Sequence, residues 1–187
     1  AWNVSGIKIG LAYSRPSVVT DGSGGAIVLW PDLGGSLRGL DITAAGAIAP
    51  GWPVGGRVMG PAPSSNESLQ SFQPAGDGTV DLLTIDHPTV TDSRLRLWRV
   101  GRDGLLVPGW PAPVVVTTGS QGFSGYFVGL LARSPNGTEW VGYTDWSDGG
   151  IGPDFYQAKL KAFGPTGALL LDKDMSPFGH INLATTG

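Results

Sequence analysis

The chain has 187 residues and a formal net charge of −3, and its four lysines form no patch, which argues against the clustered basic surface that nucleic-acid binding requires. It contains no cysteine, which excludes disulfides and thiolate metal sites, and no apolar run approaches the roughly 18 residues that insertion into a membrane as a helix requires. Its 31 glycines and 15 prolines accompany 41% apolar residues, a combination typical of many turns joining short buried strands.

The first predicted element is an amphipathic strand over residues 1–10. Its apolar side chains are Trp2, Val4, Ile7 and Ile9. The segment aligns with the last strand of a repeat whose other strands are missing, so we expect an orphan outer strand with no partner in its own chain. Since an open strand edge invites pairing, the segment is predicted to be lent to a neighbouring subunit.

Three copies of one pattern follow, over residues 11–60, 61–119 and 120–179, and residues 180–187 form a tail or begin a further copy. In each copy a glycine opens an apolar run, and an aspartate stands eight residues later. These aspartates are Asp32, Asp86 and Asp145. A second strand-like run then carries a basic residue at Arg38, Arg96 or Lys159, and closes on a turn that ends in Gly46, Gly104 or Gly167.

Each copy is predicted to contain four short antiparallel strands. The first is SVVT in copy one, and a glycine-containing tight turn leads to the second, which ends at the repeated aspartate. The third carries the basic residue, and the fourth contains Gly-Trp-Pro at Trp52 or Trp110. Proline confines a strand to a sheet edge, so these tryptophans are expected to act as wedges between neighbouring copies. No stretch keeps a helical period, and the chain is predicted to be all-β.

The segments DGSGGAIVLWPD, DFYQAKL, GPTGA and PGWPVGG resemble the tandem repeats of large secreted bacterial β-propeller proteins. The resemblance implies a propeller-like fold and an extracellular or cell-surface location, with any signal peptide removed or outside the sequence. It implies no activity. The first copy departs from the pattern in its third strand, and in the third copy Lys173 stands where the tryptophan would fall.

Propellers close with about four to eight blades, and this chain supplies three. It is therefore expected to be part of a longer propeller, a half-ring that pairs with a second chain, or a subunit that lends its spare strand. The alternative fold is a β-trefoil, which also has three four-stranded units.

The sequence offers little for catalysis. Its two histidines, His87 and His180, are far apart and no Gly-x-Ser-x-Gly is present, so neither a nucleophilic triad nor a zinc site is expected. Because the three aspartates recur at one position, we assign them a structural role, either bonding loop backbone or pairing with the repeated basic residues.

Two ligand sites are candidates. Asp77 and Asp81 lie in a segment similar to a calcium loop of integrin-type propellers, and they form a weak candidate for a calcium site. No other cofactor is expected. Aromatic residues of the second and third copies form a candidate sugar-binding surface. These are Trp98, Tyr126, Tyr143, Trp146 and Tyr156.

The sequence thus predicts a non-enzymatic, extracellular structural or adhesive repeat module that assembles through exposed strand edges. Its expected partners are further copies of itself or additional blades. A glycan-binding propeller lectin is the alternative, and a fragment of a secreted glycoside-active enzyme is the third.

Overall fold

The computed structural model describes the chain in eleven segments. They are residues 6, 8–12, 15–34, 36–59, 68–75, 78–89, 92–101, 103–110, 113–120, 128–147 and 155–176. Within them the chain forms twelve strands and no helix, as the prediction of an all-β chain required. The strands make three four-stranded antiparallel sheets, and within each sheet the strands follow chain order from one edge to the other.

The three sheets follow one another along the sequence. Sheet 1 contains β1 (Ser17–Thr20), β2 (Ala26–Pro31), β3 (Leu37–Ile42) and β4 (Arg57–Val58). Sheet 2 contains β5 (Ser68–Pro74), β6 (Val80–Asp86), β7 (Asp92–Val100) and β8 (Val114–Ser120). Sheet 3 contains β9 (Val128–Arg133), β10 (Glu139–Ser147), β11 (Phe155–Phe163) and β12 (Leu169–Ser176).

No ladder among the described strands joins two sheets, so each repeat forms its own sheet, as a blade does and a β-trefoil does not. The prediction of three blade-like four-stranded repeats is therefore confirmed. The sheets stack side by side with their first strands adjacent, since β1 contacts β5 and β5 contacts β9.

The repeated glycines set the hairpin turns. Gly24, Gly78 and Gly137 all have a positive φ, between 83° and 88°, which a glycine adopts without strain. The turn after the third strand of each sheet is also the same in all three. Gly46, Gly104 and Gly167 each donate a backbone hydrogen bond of 2.8–2.9 Å to the carbonyl three residues earlier. One turn geometry therefore occurs three times.

The Gly-Trp-Pro segments are not part of the fourth strands, and that prediction is wrong. In both cases the segment lies in the connection that precedes β4 or β8. Pro50 and Gly51 occupy the centre of a tight turn in which Trp52 N donates to Ala49 O over 3.1 Å, and Gly51 has a φ of 85°. Proline followed by a glycine of positive φ is the sequence of a type II turn, so this pair forms a turn and cannot lie within the fourth strand.

The core lies between the sheets. One cluster joins sheets 1 and 2, and its most buried members include Ile27, Leu29, Leu82 and Val100. A second cluster joins sheets 2 and 3. Because side chains alternate along a strand, β6 places Val80 and Leu82 on one face of sheet 2 and Leu83 and Ile85 on the other, and all seven residues of this strand are buried.

The hairpin between the second and third strands lengthens from copy to copy. Both strands have six residues in sheet 1, seven and nine in sheet 2, and nine each in sheet 3. The spacing between the repeated aspartate and the repeated basic residue rises from 6 to 10 to 14 residues. The strands take up part of this increase, because the added residues continue the ladder.

Candidate functional site

Each repeated aspartate lies within two residues of the end of the second strand of its sheet and contacts the repeated basic residue. Arg38 Nε donates to Asp32 Oδ2 over 2.7 Å, and Arg96 Nη2 lies 3.3 Å from Asp86 Oδ2. Lys159 Nζ lies 3.4 Å from Asp145 Oδ2. In all three sheets the basic residue sits opposite the residue two positions before the aspartate. The shared register places the repeated ion pair at the same corner three times, and in sheet 2 Arg94 also donates two hydrogen bonds to Asp86, at 2.6 and 2.9 Å.

Asp32 shows why an aspartate suits this corner. Its Oδ1 accepts the backbone N–H groups of Gly34 and Ser36 at 2.8 and 2.9 Å. The hydrogen bond from Arg38 is the largest of the effects that lower the pKa of Asp32 below 3.8. One carboxylate thus holds the loop backbone and anchors the next strand, which is a structural task.

The proposed sugar-binding surface is wrong at the two aromatic side chains that can be examined. Trp98 is 4% exposed and its Nε1 donates to Thr84 Oγ1 over 2.7 Å, while Arg96 covers its ring at 4.5 Å. Tyr143 is 1% exposed, and burial raises its pKa to about 12. Strand alternation turns both onto faces that a neighbouring sheet covers. Tyr126 and the side chains of Trp146 and Tyr156 lie outside the described part of the chain.

The calcium candidate also fails at its described residue. Asp81 is completely buried, and both of its carboxylate oxygens accept hydrogen bonds from arginines. Asp77 lies outside the described residues. Among the residues that the structure describes, no group of three or more histidine, aspartate or glutamate side chains could hold a metal ion.

The two tryptophans of the Gly-Trp-Pro turns lie where sheets meet. Trp110 is 6% exposed and packs with Leu83 of sheet 2 and with Val141 and Tyr143 of sheet 3. Trp52 is partly buried and contacts the cluster between sheets 1 and 2, and also the cluster on the opposite face of sheet 1. Both tryptophans therefore fill space where neighbouring sheets meet, as expected for wedges between repeats.

An arginine stacks on each of these tryptophans and reaches the next sheet. Arg57 lies 5.5 Å from the Trp52 ring, and its Nη1 donates to Asp103 O over 2.9 Å. Arg99 lies 4.5 Å from the Trp110 ring, and its Nη1 donates to Pro165 O over 3.2 Å. Both acceptors belong to the repeated turn after the third strand. An arginine stacked on a tryptophan therefore links sheet 1 to sheet 2 and sheet 2 to sheet 3, from the fourth strand in the first case and from the third strand in the second.

A buried ion cluster adds a second link between sheets 2 and 3. Arg99 Nη2 donates to Glu139 Oε1 over 2.7 Å, and Arg99 Nε donates to Asp81 Oδ1 over 2.7 Å. Arg133 Nη1 contacts both carboxylates, at 2.8 Å from Asp81 and 3.0 Å from Glu139. Both carboxylates are 0% exposed. Sequence reasoning missed this cluster because its members do not recur in the other repeats. The only available signal was that Glu139 is one of two glutamates and lies beside a glycine turn.

The first segment of the chain packs against sheet 1 at Ile9, which is the one of its predicted apolar residues that lies in the described part of the chain. Ile9 packs against the outer face of sheet 1, which includes Val28, Trp30 and Leu40. The prediction concerned a strand partner, and Ile9 makes an apolar packing contact instead, so the lack of a strand partner for this segment stays a prediction. The contact arises because none of the other described sheets covers that face of sheet 1. Trp2, Val4 and Ile7 lie outside the described residues.

The outermost strand of sheet 3 is the most exposed apolar edge in the described chain. Leu169, Leu170 and Met175 of β12 are 53%, 61% and 53% exposed. Register shifts leave Leu170 and Met175 without opposite residues on β11, so both belong to bulges. Between them β12 is charged, at Asp172, Lys173 and Asp174. Bulges and charges limit which strands can pair with an exposed edge.

Comparison with known proteins found no relative. No protein-family model matches the chain, and neither the curated proteins nor the solved structures contain a match. No helix of the described residues has the length and apolar character to cross a membrane.

Proposed function

We propose that this chain is a non-enzymatic structural or adhesive module, located outside the cell or on its surface, that assembles with copies of itself through strand edges. The observation that carries the proposal is the edge strand β12, on which Leu169, Leu170 and Met175 are each more than half exposed. The tightly paired corners support a structural role, since the described aspartates of the repeat already have basic partners. The lectin alternative lacks support, because Trp98 and Tyr143 are buried.

The charges of β12 indicate which edge it meets. In a symmetric antiparallel pair of two β12 strands, the central residue faces its own copy. A pair centred on Asp172, Lys173 or Asp174 therefore places like charges opposite each other, which is destabilising. The outer edge of sheet 2 avoids this repulsion, because β8 carries no charged residue and exposes Val115 by 47%.

Assembly therefore proceeds by β12 of one copy meeting β8 of another. Such a contact is heterologous, and it produces open chains of copies or closed rings rather than two-fold dimers. The contact combines exposed apolar side chains with backbone groups at the strand edges.

Analytical ultracentrifugation of three variants tests this arrangement. We expect the wild-type chain to form oligomers that grow with concentration, and the Leu170→Lys/Met175→Lys and Val115→Lys variants to be monomers. An equimolar mixture of these two should give dimers, because each variant keeps one intact edge. Leu105→Lys is the matched control, since Leu105 is 65% exposed but lies in a turn.

A folded wild-type chain that stays monomeric at all concentrations would disprove the proposal. Dimers of Val115→Lys alone would instead show that β12 pairs with itself, and loss of assembly in the Leu105 control would show a non-specific apolar effect.

A further inference from the structure

The buried ion cluster between sheets 2 and 3 holds its two carboxylates differently. Asp81 accepts three hydrogen bonds from the arginines, at 2.7, 2.8 and 3.2 Å, through both oxygens. Glu139 has both arginine contacts on Oε1, and its buried Oε2 has no hydrogen-bond partner among the described residues. The arginines therefore satisfy a full negative charge on Asp81 but only half of the carboxyl group of Glu139.

The surroundings of Glu139 disfavour a second negative charge. The charged side chains that face it are Asp81 from β6, Arg99 from β7 and Arg133 from β9, while Phe163 lies opposite it on β11. A buried charge without a complete set of partners costs far more free energy than a neutral acid. Two carboxylates that share a buried site keep one proton between them for the same reason.

We propose that Glu139 carries a proton at neutral pH and that the contact between sheets 2 and 3 is a proton-dependent joint, which loosens when this proton leaves. The protonated acid provides a donor that Asp81 can accept, so one proton ties a carboxyl group of sheet 3 to a carboxylate of sheet 2. Loss of that proton places two negative charges side by side in the interior. Loosening exposes the apolar faces around Leu83 and Val141.

The direction of the pH dependence follows from proton binding. Burial first, and the charge of Asp81 next, raise the pKa of Glu139 from 4.5 to about 9. Between these two values the folded chain binds a proton that the unfolded chain does not. The free energy of unfolding therefore falls as the pH rises through this range, and the joint is weakest above pH 9.

The composition of the chain allows a direct test. Glu67 and Glu139 are its only glutamates, so labelling glutamate with ¹³C at the side-chain carboxyl gives two NMR signals, and a Glu67→Gln variant leaves one. We expect the signal of Glu139 to titrate with a midpoint near 9. A midpoint below about 6 would overturn the proposal.

Hydrogen exchange then locates the loosening. Corrected for intrinsic rates, protection of the β8, β9 and β10 amides should fall between pH 7 and pH 10, while protection of β2 and β3 should not. Glu139→Gln keeps a neutral side chain with a donor, so it should abolish this change. Glu67→Gln, the same substitution at the other glutamate of the chain, is the matched control and should behave as the wild type.

Equal loss of protection in all three sheets, or no loss, would refute a local joint. If Glu139→Gln does not fold, the NMR titration decides the matter alone. Neither result depends on whether the chain assembles, so failure here is distinguishable from failure of the proposed function.

Discussion

At the scale of single residues, glycines mark the places where one sheet approaches another. A side-chain carbon added at Gly104 would lie 2.6 Å from Val58 O and 2.9 Å from Arg57 Cδ, both in sheet 1. Gly109 has a similar φ, 84° against 75°, yet no atom lies within 4 Å of the equivalent position. The first glycine is required by contact and conformation, the second by conformation alone.

This pair separates the two effects. Gly109→Ala should lower the free energy of unfolding by about 1 kcal/mol, the cost of a left-handed backbone for alanine. Gly104→Ala should lose a further ~1–3 kcal/mol, since the added carbon would clash with the backbone of Val58 and force it to shift. Urea denaturation of both variants measures the difference. Equal losses would show that sheet 1 accommodates the added carbon with no further loss in the free energy of unfolding.

At the scale of elements, local signals in the sequence predicted more than tertiary ones. The turn glycines Gly24, Gly78 and Gly137 predicted the first hairpins because a positive φ is a local requirement. The Gly-Trp-Pro strands were predicted wrongly, because the preceding proline makes Pro-Gly a turn. The aromatic surface failed at Trp98 and Tyr143, because strand alternation alone does not reveal which face another sheet covers.

The wedge role of the tryptophans yields a prediction about the two contacts between sheets. Trp110→Ala should lower the free energy of unfolding by about 3–5 kcal/mol, the range for removal of a large buried side chain. Trp52→Ala should lose less, because Trp52 is only partly buried. Thermal or urea denaturation of the two variants gives the comparison. A larger loss at Trp52 would contradict the order of burial.

At the scale of the whole molecule, the repetition predicted three sheets, but the differences between them decide how they are joined. The contact between sheets 1 and 2 has an apolar cluster and one arginine link, while the contact between sheets 2 and 3 adds a cluster of two arginines and two buried carboxyl groups. Asp81 and Glu139 are 58 residues apart in a pattern that otherwise repeats, so their meeting depends on the stacking of sheets. No local pattern encodes it.

The covered outer face of sheet 1 provides the last prediction. Ile9→Asp should reduce the free energy of unfolding by roughly 1–3 kcal/mol, since it removes a partly buried apolar side chain and brings a charge against Val28 and Leu40. Leu11→Asp is the control and should have little effect, because Leu11 is 65% exposed. Calorimetry of both variants tests this. An unchanged melting temperature for Ile9→Asp would show that the segment contributes nothing to sheet 1.

The growth of the hairpins has a geometric result. The second strand of each sheet begins two residues after its turn glycine, but β10 continues for three residues more than β2. At about 3.3 Å per residue, the third hairpin overhangs the first by roughly 10 Å. The β10–β11 hairpin therefore projects beyond the other two, and a flat surface that approaches this end of the sheets would contact that hairpin first.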